Sequence, residues 1–174
     1  MTKHFLTSAA VTASLIAAPA FAQDWTGFYA GGQFGYGDEQ LGSDSGHTWQ
    51  GGLQAGYNHD FGGWVVGGEA EMKFSNADIA GDSFQDSIAL KARVGYDLNG
   101  TLLYGTLGGV RGMMDVGASN ISDNGIVYGF GAERMLSDHW SLGMEVLQSE
   151  YRNFGGGGSS LYDTSASLKV NYRF

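Results

Sequence analysis

The chain has 174 residues, of which 30 are glycine, one is proline and none is cysteine. Without a G-X-Y period it is not a collagen-like fibre, and 43% hydrophobic residues argue against disorder. A net charge of −9 makes nucleic-acid binding a poor fit, and the length suits one domain. Many glycines among 13% aromatic residues favour a sheet in which small and bulky side chains alternate.

Residues 1–22 have the pattern of a secretory signal peptide. Lys3 provides a basic start, residues 5–18 form an apolar run, and an Ala-Phe-Ala cleavage site ends at Ala22. The apolar run is shorter than the roughly 20 residues that a membrane-spanning helix needs. We therefore expect cleavage after Ala22. Residues 23–174 then form the mature domain, in which eight basic and 18 acidic residues give a net charge of −10.

The mature sequence alternates between apolar residues and small or polar residues with a period of two, which predicts β-strands. In the second alternating segment, Trp49, Leu53 and Tyr57 share one face, and the residues between them are small or polar. The alternating segments number eight, and they are 28–36, 48–61, 64–74, 88–97, 103–110, 126–136, 140–146 and 166–174.

Two tight-turn signals predict how neighbouring segments pair. Gly62-Gly63 and Asn99-Gly100 suit two-residue hairpin turns that need positive φ. The resulting pairs all fall on the apolar parity, so turns and alternation agree. The second turn also assigns Tyr104 and Thr106 to the opposite face. The predicted apolar pairs are Tyr57 with Gly68, Ala55 with Ala70, Leu53 with Met72, Tyr96 with Leu103, and Val94 with Gly105.

The connections between segments alternate in length. Short ones lie near residues 62, 99 and 138, and the longer ones are predicted over 38–47, 75–84, 112–124 and 153–159. Short turns at one end and long loops at the other are typical of an outer-membrane barrel. Because an open sheet edge would leave backbone groups unpaired in hydrocarbon, the barrel must close. The predicted fold is an all-β, eight-stranded antiparallel transmembrane β-barrel.

The aromatic face is predicted to point outward. The same alternation suits a soluble eight-stranded barrel with its apolar face inside. An eight-stranded interior has room for side chains and little more, however, so it cannot hold so many large rings. Facing lipid, the aromatic residues form two belts separated by aliphatic residues, as at membrane interfaces. The predicted girdle includes Trp25, Trp64 and Trp140 at the short-turn end and Trp49 near the other end.

The inward face carries charges of both signs. One interpretation is a network of paired charges that fills the lumen, since buried charges need partners. The other is an ion-conducting constriction. We favour the network because opposite charges occur on neighbouring strands. The charges assigned to the lumen are Glu69, Glu71, Lys91, Arg93, Glu133, Glu145, Lys169 and Arg173.

The sequence predicts no catalytic, cofactor or metal site. His59 and His139 lie near short turns, and no histidine has the spacing of a metal site. A hydrolase needs a nucleophile or carboxylate beside a histidine, and loops of this composition contain such groupings by chance. The local grouping of this kind is His47 with Ser43, Asp44 and Ser45. Acidic residues of the long loops are interpreted as solvated, with cation bridges to lipopolysaccharide phosphates or contacts with a surface partner as alternatives.

Three stretches carry a family resemblance. The mature chain opens with Trp-Thr-Gly-Phe-Tyr-Ala-Gly-Gly at 25–32, has Ser-Asp-His-Trp-Ser-Leu at 137–142, and ends in Tyr-Arg-Phe. With these features it resembles the small outer-membrane β-barrel proteins of the opacity, OmpX and OmpA-transmembrane type. The resemblance implies insertion into the outer membrane, with Phe174 as the signal for the barrel-assembly machinery. It implies no shared catalytic residues.

The functional expectation is a monomeric, non-enzymatic outer-membrane protein that contributes to envelope integrity and surface interactions. Its expected partners are outer-membrane lipids, lipopolysaccharide and, during insertion, the barrel-assembly machinery. A narrow porin-like channel for small solutes is the first alternative. An outer-membrane enzyme that modifies lipids is the second.

Overall fold

The structure is a computed structural model that describes the backbone of residues 24–41, 44–79, 82–116, 119–151 and 161–174. Within these ranges, the side chains of 39–41, 44–47, 75–79, 82–85, 113–116, 119–123 and 161 are not described. The predicted signal peptide therefore lies outside the described residues. The part of the chain that is described contains no helix long and apolar enough to span a membrane.

Eight antiparallel strands close into a barrel, in which each strand pairs with the next and the last pairs with the first. This confirms the predicted fold. The strands show period-two alternation because each one has a lipid-facing side and a lumen-facing side. The strands are β1 (Gly27–Leu41), β2 (Asp44–Asp60), β3 (Trp64–Ile79), β4 (Asp82–Asp97), β5 (Thr101–Val116), β6 (Ser119–Met135), β7 (Trp140–Tyr151) and β8 (Leu161–Arg173).

The short turns have the geometry that the sequence predicts. Gly62, Gly63, Asn99 and Gly100 all have positive φ, at 84°, 112°, 53° and 80°. An aspartate at the end of the preceding strand caps each turn; the Asp60 carboxylate, for example, accepts hydrogen bonds from the Gly62 and Gly63 amides at 2.8 and 2.9 Å. The predicted register follows from these turns. The observed pairs include Leu53 with Met72, Ala55 with Ala70, Tyr57 with Gly68, Val94 with Gly105, and Tyr96 with Leu103.

Three of the predicted long loops are instead continued strands. The ladders run out to the pairs Leu41–Asp44, Ile79–Asp82 and Val116–Ser119. The predicted loop at 153–159 lies outside the described residues. A strand of 16 residues is about 53 Å long, whereas a tilted strand crosses the hydrocarbon with about 9–11 residues. Beyond the membrane both faces of a hairpin meet water, so the alternation disappears while the backbone pairing continues.

The outward face carries the aromatic girdle. Trp49, Trp64 and Trp140 are 64%, 59% and 49% exposed. Each contacts a ring on a neighbouring strand, such as Phe34 stacked against Trp49 with centroids 5.1 Å apart. Outward rings on adjacent strands reach each other both diagonally and in register: Phe34 is diagonal to Trp49, whereas Tyr36 is its in-register partner. Tyr96 contacts Trp64 in the same way at 5.3 Å.

Trp25 does not belong to this girdle, and its assignment there was wrong. Its side chain is fully buried. Trp25 lies two positions before β1. Counting along the strand, it falls on the same inward face as Tyr29, whereas Phe28 is on the outward face and exposed. The Arg173 guanidinium lies 4.9 Å from the Trp25 ring and donates a hydrogen bond to the Trp25 carbonyl oxygen. Together these contacts direct the indole into the lumen at the short-turn end.

Two inward tyrosines lie over glycines of the adjacent strand. Tyr29 pairs in register with Gly56, and Tyr104 pairs with Gly131. A Cβ atom at Gly56 would lie 2.5 Å from Cζ and Oη of Tyr29, and one at Gly131 would lie 2.5 Å from the same atoms of Tyr104. These glycines leave the space in which the rings lie flat along the barrel wall.

We predict that Gly56→Ala destabilises the barrel by about 1–3 kcal/mol, because the methyl group would overlap both the Tyr29 ring and the Gly68 carbonyl oxygen. The measurement is the free energy of unfolding in urea, with the barrel folded in lipid vesicles. Gly51→Ala is the matched control, since a Cβ there has nothing within 4 Å. Equal stability of the two variants would contradict the prediction.

Candidate functional site: the charge network of the lumen

The structure places all eight charges assigned to the lumen inside the barrel. Each of these residues is 4% exposed or less. They come from five strands, and the closed sheet brings them together because every second residue of a strand points inward. Buried charges at this density are stable only with partners of opposite sign and with hydrogen bonds to the remaining oxygens.

Two lysines occupy the centre of the network. Lys91 Nζ lies 2.6 Å from Glu71, 2.9 Å from Glu69 and 2.9 Å from Glu145. Lys169 Nζ lies 2.7 Å from Glu69 and 3.1 Å from Glu145. Two ammonium groups thus share three carboxylates contributed by β3 and β7. This arrangement joins four strands, β3, β4, β7 and β8, across the lumen.

The inward tyrosines complete the carboxylate contacts of this centre. Tyr29 Oη donates to Glu69 at 2.8 Å, and Tyr104 Oη donates to Glu145 at 3.0 Å. Each glutamate therefore receives both ammonium and phenol donors. Through these two bonds β1 and β5 also join the network.

A second layer lies toward the short-turn end, around Glu133. Arg93 Nη2 lies 2.8 Å from one oxygen of Glu133. The other carboxylate oxygen of Glu133 accepts hydrogen bonds from Ser141 at 2.6 Å and from Asn171 at 3.0 Å. Gln54 of β2 donates to Asn171 at 2.7 Å. With these residues every one of the eight strands supplies at least one side chain to the network.

Aromatic rings and arginines alternate at the short-turn end of the lumen. The Arg93 guanidinium lies 3.9 Å from the Tyr104 ring and 5.5 Å from the Tyr29 ring. Arg173 continues the series, 5.8 Å from the Tyr29 ring and 4.9 Å from the Trp25 ring. Planar guanidinium groups suit such contacts with ring faces. The series closes this end of the lumen with large, flat side chains.

The opposite half of the lumen is only partly polar. Lys73 Nζ contacts Ser165 at 3.0 Å and Glu71 at 3.5 Å, which extends the network toward the far end. Beside it lies a buried apolar cluster, whose members come from β4, β5, β6 and β7. The cluster consists of Ala89, Val110, Val127, Leu147 and Tyr151.

Three glutamates come close enough to suggest a cation site, but lysines occupy their centre. One oxygen from each of Glu69, Glu71 and Glu145 lies within 4.8 Å of the others. Both central lysines contact all three, with Lys169 3.8 Å from Glu71. The two ammonium groups thus occupy the space between the three carboxylates that a metal ion would take. The grouping of His47 with Ser43, Asp44 and Ser45 lies outside the described side chains.

Sequence reasoning missed several members of the network. Tyr29 and Tyr104 lie on the inward parity, but the network predicted from the sequence contains only charged residues. The signal that identifies them is a tyrosine that lies on the inward parity and opposite a glycine of the next strand. Lys73, Asn171 and Gln54 also share the inward parity with the charges that the sequence singled out, and parity alone would have included them.

Comparison with known proteins agrees with this architecture. Residues 7–174 match the family described as the outer membrane protein beta-barrel domain. The chain belongs to this family. A 22 kDa outer membrane protein of Rhizobium leguminosarum bv. viciae is 31% identical over 142 residues, which are 76% of this chain and 67% of that protein. This member of the family is therefore a protein of the outer membrane.

Two solved barrels share the fold of this family member. Neisserial surface protein A is similar with a TM-score of 0.66 and 15% identity, over 86% of this chain and 98% of that chain. Ail, the attachment invasion locus protein of Yersinia pestis, is similar with a TM-score of 0.58 and 17% identity, over 86% and 99%. At these identities the likeness shows the fold alone.

We predict that Lys91→Met lowers the free energy of unfolding by about 3–5 kcal/mol, because it leaves buried carboxylates short of a partner. Urea titration of the barrel in lipid vesicles, followed by tryptophan fluorescence, measures this change.

The matched control is Arg134→Met, which removes a partly exposed cation that donates to Thr101 at 2.7 Å. Its cost should be roughly 1 kcal/mol. If Lys91→Met costs no more than this control, the lumen charges do not form a mutually dependent network.

Proposed function

We propose that the protein is a non-enzymatic, non-conducting barrel that stabilises the outer membrane and presents its hairpins at the cell surface. The observation that carries the proposal is the hydrogen-bonded network to which all eight strands contribute. A network of this kind ties the barrel wall together from within. An eight-stranded barrel has little interior space beyond its side chains.

The energetics of the network favour a closed lumen over a channel. A conducting path through the centre has to separate Lys91 or Lys169 from the carboxylates between them. Breaking one buried ion pair costs about 3–5 kcal/mol. The central lysines make five contacts of 3.1 Å or less with these carboxylates, so spontaneous opening would be rare.

The continued hairpins support a role at the surface. The first three long connections extend the ladders well past the segments whose alternation marks the membrane. In barrels of this layout the longer connections lie on the extracellular side. Backbone pairing keeps these extensions as ordered hairpins, which suits contact with lipopolysaccharide headgroups or with a partner at the surface. We also propose the exposed terminal Phe174 as the contact for the barrel-assembly machinery.

Conductance tests the closed lumen directly. In planar bilayers containing the purified barrel, we expect no steady current. The positive control replaces Glu69, Lys91, Arg93, Glu133, Glu145 and Lys169 with serine, which shortens the side chains both at the centre and in the Arg93 layer, removes three charges of each sign and leaves the net charge unchanged. This variant should conduct. A stable ohmic current through the wild-type barrel would instead support the channel alternative.

Deletion of the gene tests the envelope role. Cells without the protein should become more sensitive to detergent and to large antibiotics, because the membrane loses a rigid barrel. Expression of the wild-type protein should restore resistance. Expression of Asp138→Asn, a control variant at an exposed residue of a short turn, should do so as well. The lipid composition should stay unchanged. If the wild-type protein changes the acyl chains of the membrane lipids and a His47 variant does not, the result would support the enzymatic alternative.

A further inference from the structure

An apolar groove lies on the outer wall of the barrel, over β8. Its volume is about 270 Å³. On one side stand Trp49, Tyr36 and Phe34, and on the other side stand Val146 and Met144. All five side chains are at least 37% exposed, so the groove opens onto the lipid-facing band. Glu145 also borders the groove, but its carboxylate is buried on the inner side of the wall, where it contacts Lys91 and Lys169.

The register explains why a groove forms at this place. Across neighbouring strands the outward residues run Tyr36, Ala166 and Val146, so a methyl group stands between two larger side chains. One rung toward the short-turn end, Leu168 stands between Phe34 and Met144. Ala166 therefore forms the floor, and Leu168 closes the groove toward the middle of the membrane.

Ring contacts make one wall of the groove rigid. Phe34 and Trp49 are stacked with centroids 5.1 Å apart and planes 12° apart. Tyr36 packs against Trp49 edge-on, with centroids 5.3 Å apart. Rings held in this way keep the groove open without a ligand, so binding costs little side-chain ordering.

Beyond the groove, away from Leu168, the outward residues of the same strands are polar. One rung beyond Ala166, Thr164 stands between Asp38 and Gln148. Between Thr164 and Leu168 there are four residues of strand, about 13 Å. A ligand that fits has a hydrocarbon part of this length and a polar part at the level of Thr164. These are the properties of a lipid acyl chain.

The groove lies in the outer half of the bilayer. Tyr36 is eight residues along β1 from Phe28, an exposed ring at the short-turn end of that strand. That separation is about 26 Å of strand, or about 20 Å along the membrane normal at a 40° tilt, near the outer edge of an apolar band about 25 Å tall. The lipid of this leaflet in an outer membrane is lipopolysaccharide.

We propose that this groove is a binding site for one acyl chain of lipopolysaccharide, entering between Thr164 and Gln148 and ending at Leu168. The site continues the lipid-facing surface of the barrel, and it combines a preformed aromatic wall with the small side chain of Ala166 as its floor. It is independent of whether the lumen conducts. A failure of the conductance test therefore leaves this proposal standing, and the reverse also holds.

Native mass spectrometry tests the site with the mature barrel folded in mild detergent and titrated with rough-type lipopolysaccharide. The wild type should retain one lipopolysaccharide molecule per chain. Ala166→Phe fills the floor and should weaken binding at least about tenfold. Ala92→Phe is the matched control, an outward alanine on β4 outside the groove, and should bind as the wild type does. Heat-modifiable migration on gels checks that each variant is folded.

Trp49→Ala supplies a second variant, which removes the wall instead of filling the floor and should also weaken binding. Three results would overturn the proposal. One is equal binding by the wild type, Ala166→Phe and Trp49→Ala. Another is a preference for phosphatidylethanolamine over lipopolysaccharide, which would make the occupant a phospholipid. The third is a mass of two chains without lipid, which would make the occupant a second copy.

Discussion

The structure depends on one constraint, which is that backbone amides and carbonyls in hydrocarbon must pair within the protein. Eight strands satisfy it by closing into a ring in which β8 pairs with β1. Closure at this strand number leaves an interior that side chains fill. Charges that point inward have no access to bulk water there, so each needs a partner. The mutual contacts of Lys91, Lys169 and their three glutamates follow from that enclosure.

The same alternation of residues places different side chains on the inner and the outer face of the barrel wall. Inside, glycines such as Gly56 make room for rings, and the rings reach across to the carboxylates. Outside, the bilayer takes the place of a hydrophobic core, so large apolar residues such as Trp49 are exposed. A small outward residue beside large ones, as at Ala166, leaves a recess that only lipid or another protein can fill.

The strands, their register and the inward charges were predictable from local pattern. Period-two alternation reports that the two faces of a strand meet different surroundings, and the tight turns at Gly62-Gly63 and Asn99-Gly100 set the pairing. The same reasoning failed at the far ends of the hairpins. There both faces are wetted, and the pattern no longer distinguishes a strand from a loop. Trp25 was misplaced, although it stands on the inward parity of β1, because it precedes the alternating segment from which the faces were assigned.

The sequence by itself determined which side chains point into the lumen and which face lipid, because parity along a strand is a local property. Only the tertiary structure decided which of them meet. Lys91 and Glu145 are 54 residues apart and contact at 2.9 Å, and Arg173 reaches Trp25 from the other end of the chain. Such contacts depend on closure of the ring and on the length of each side chain across the lumen, which no alternation encodes.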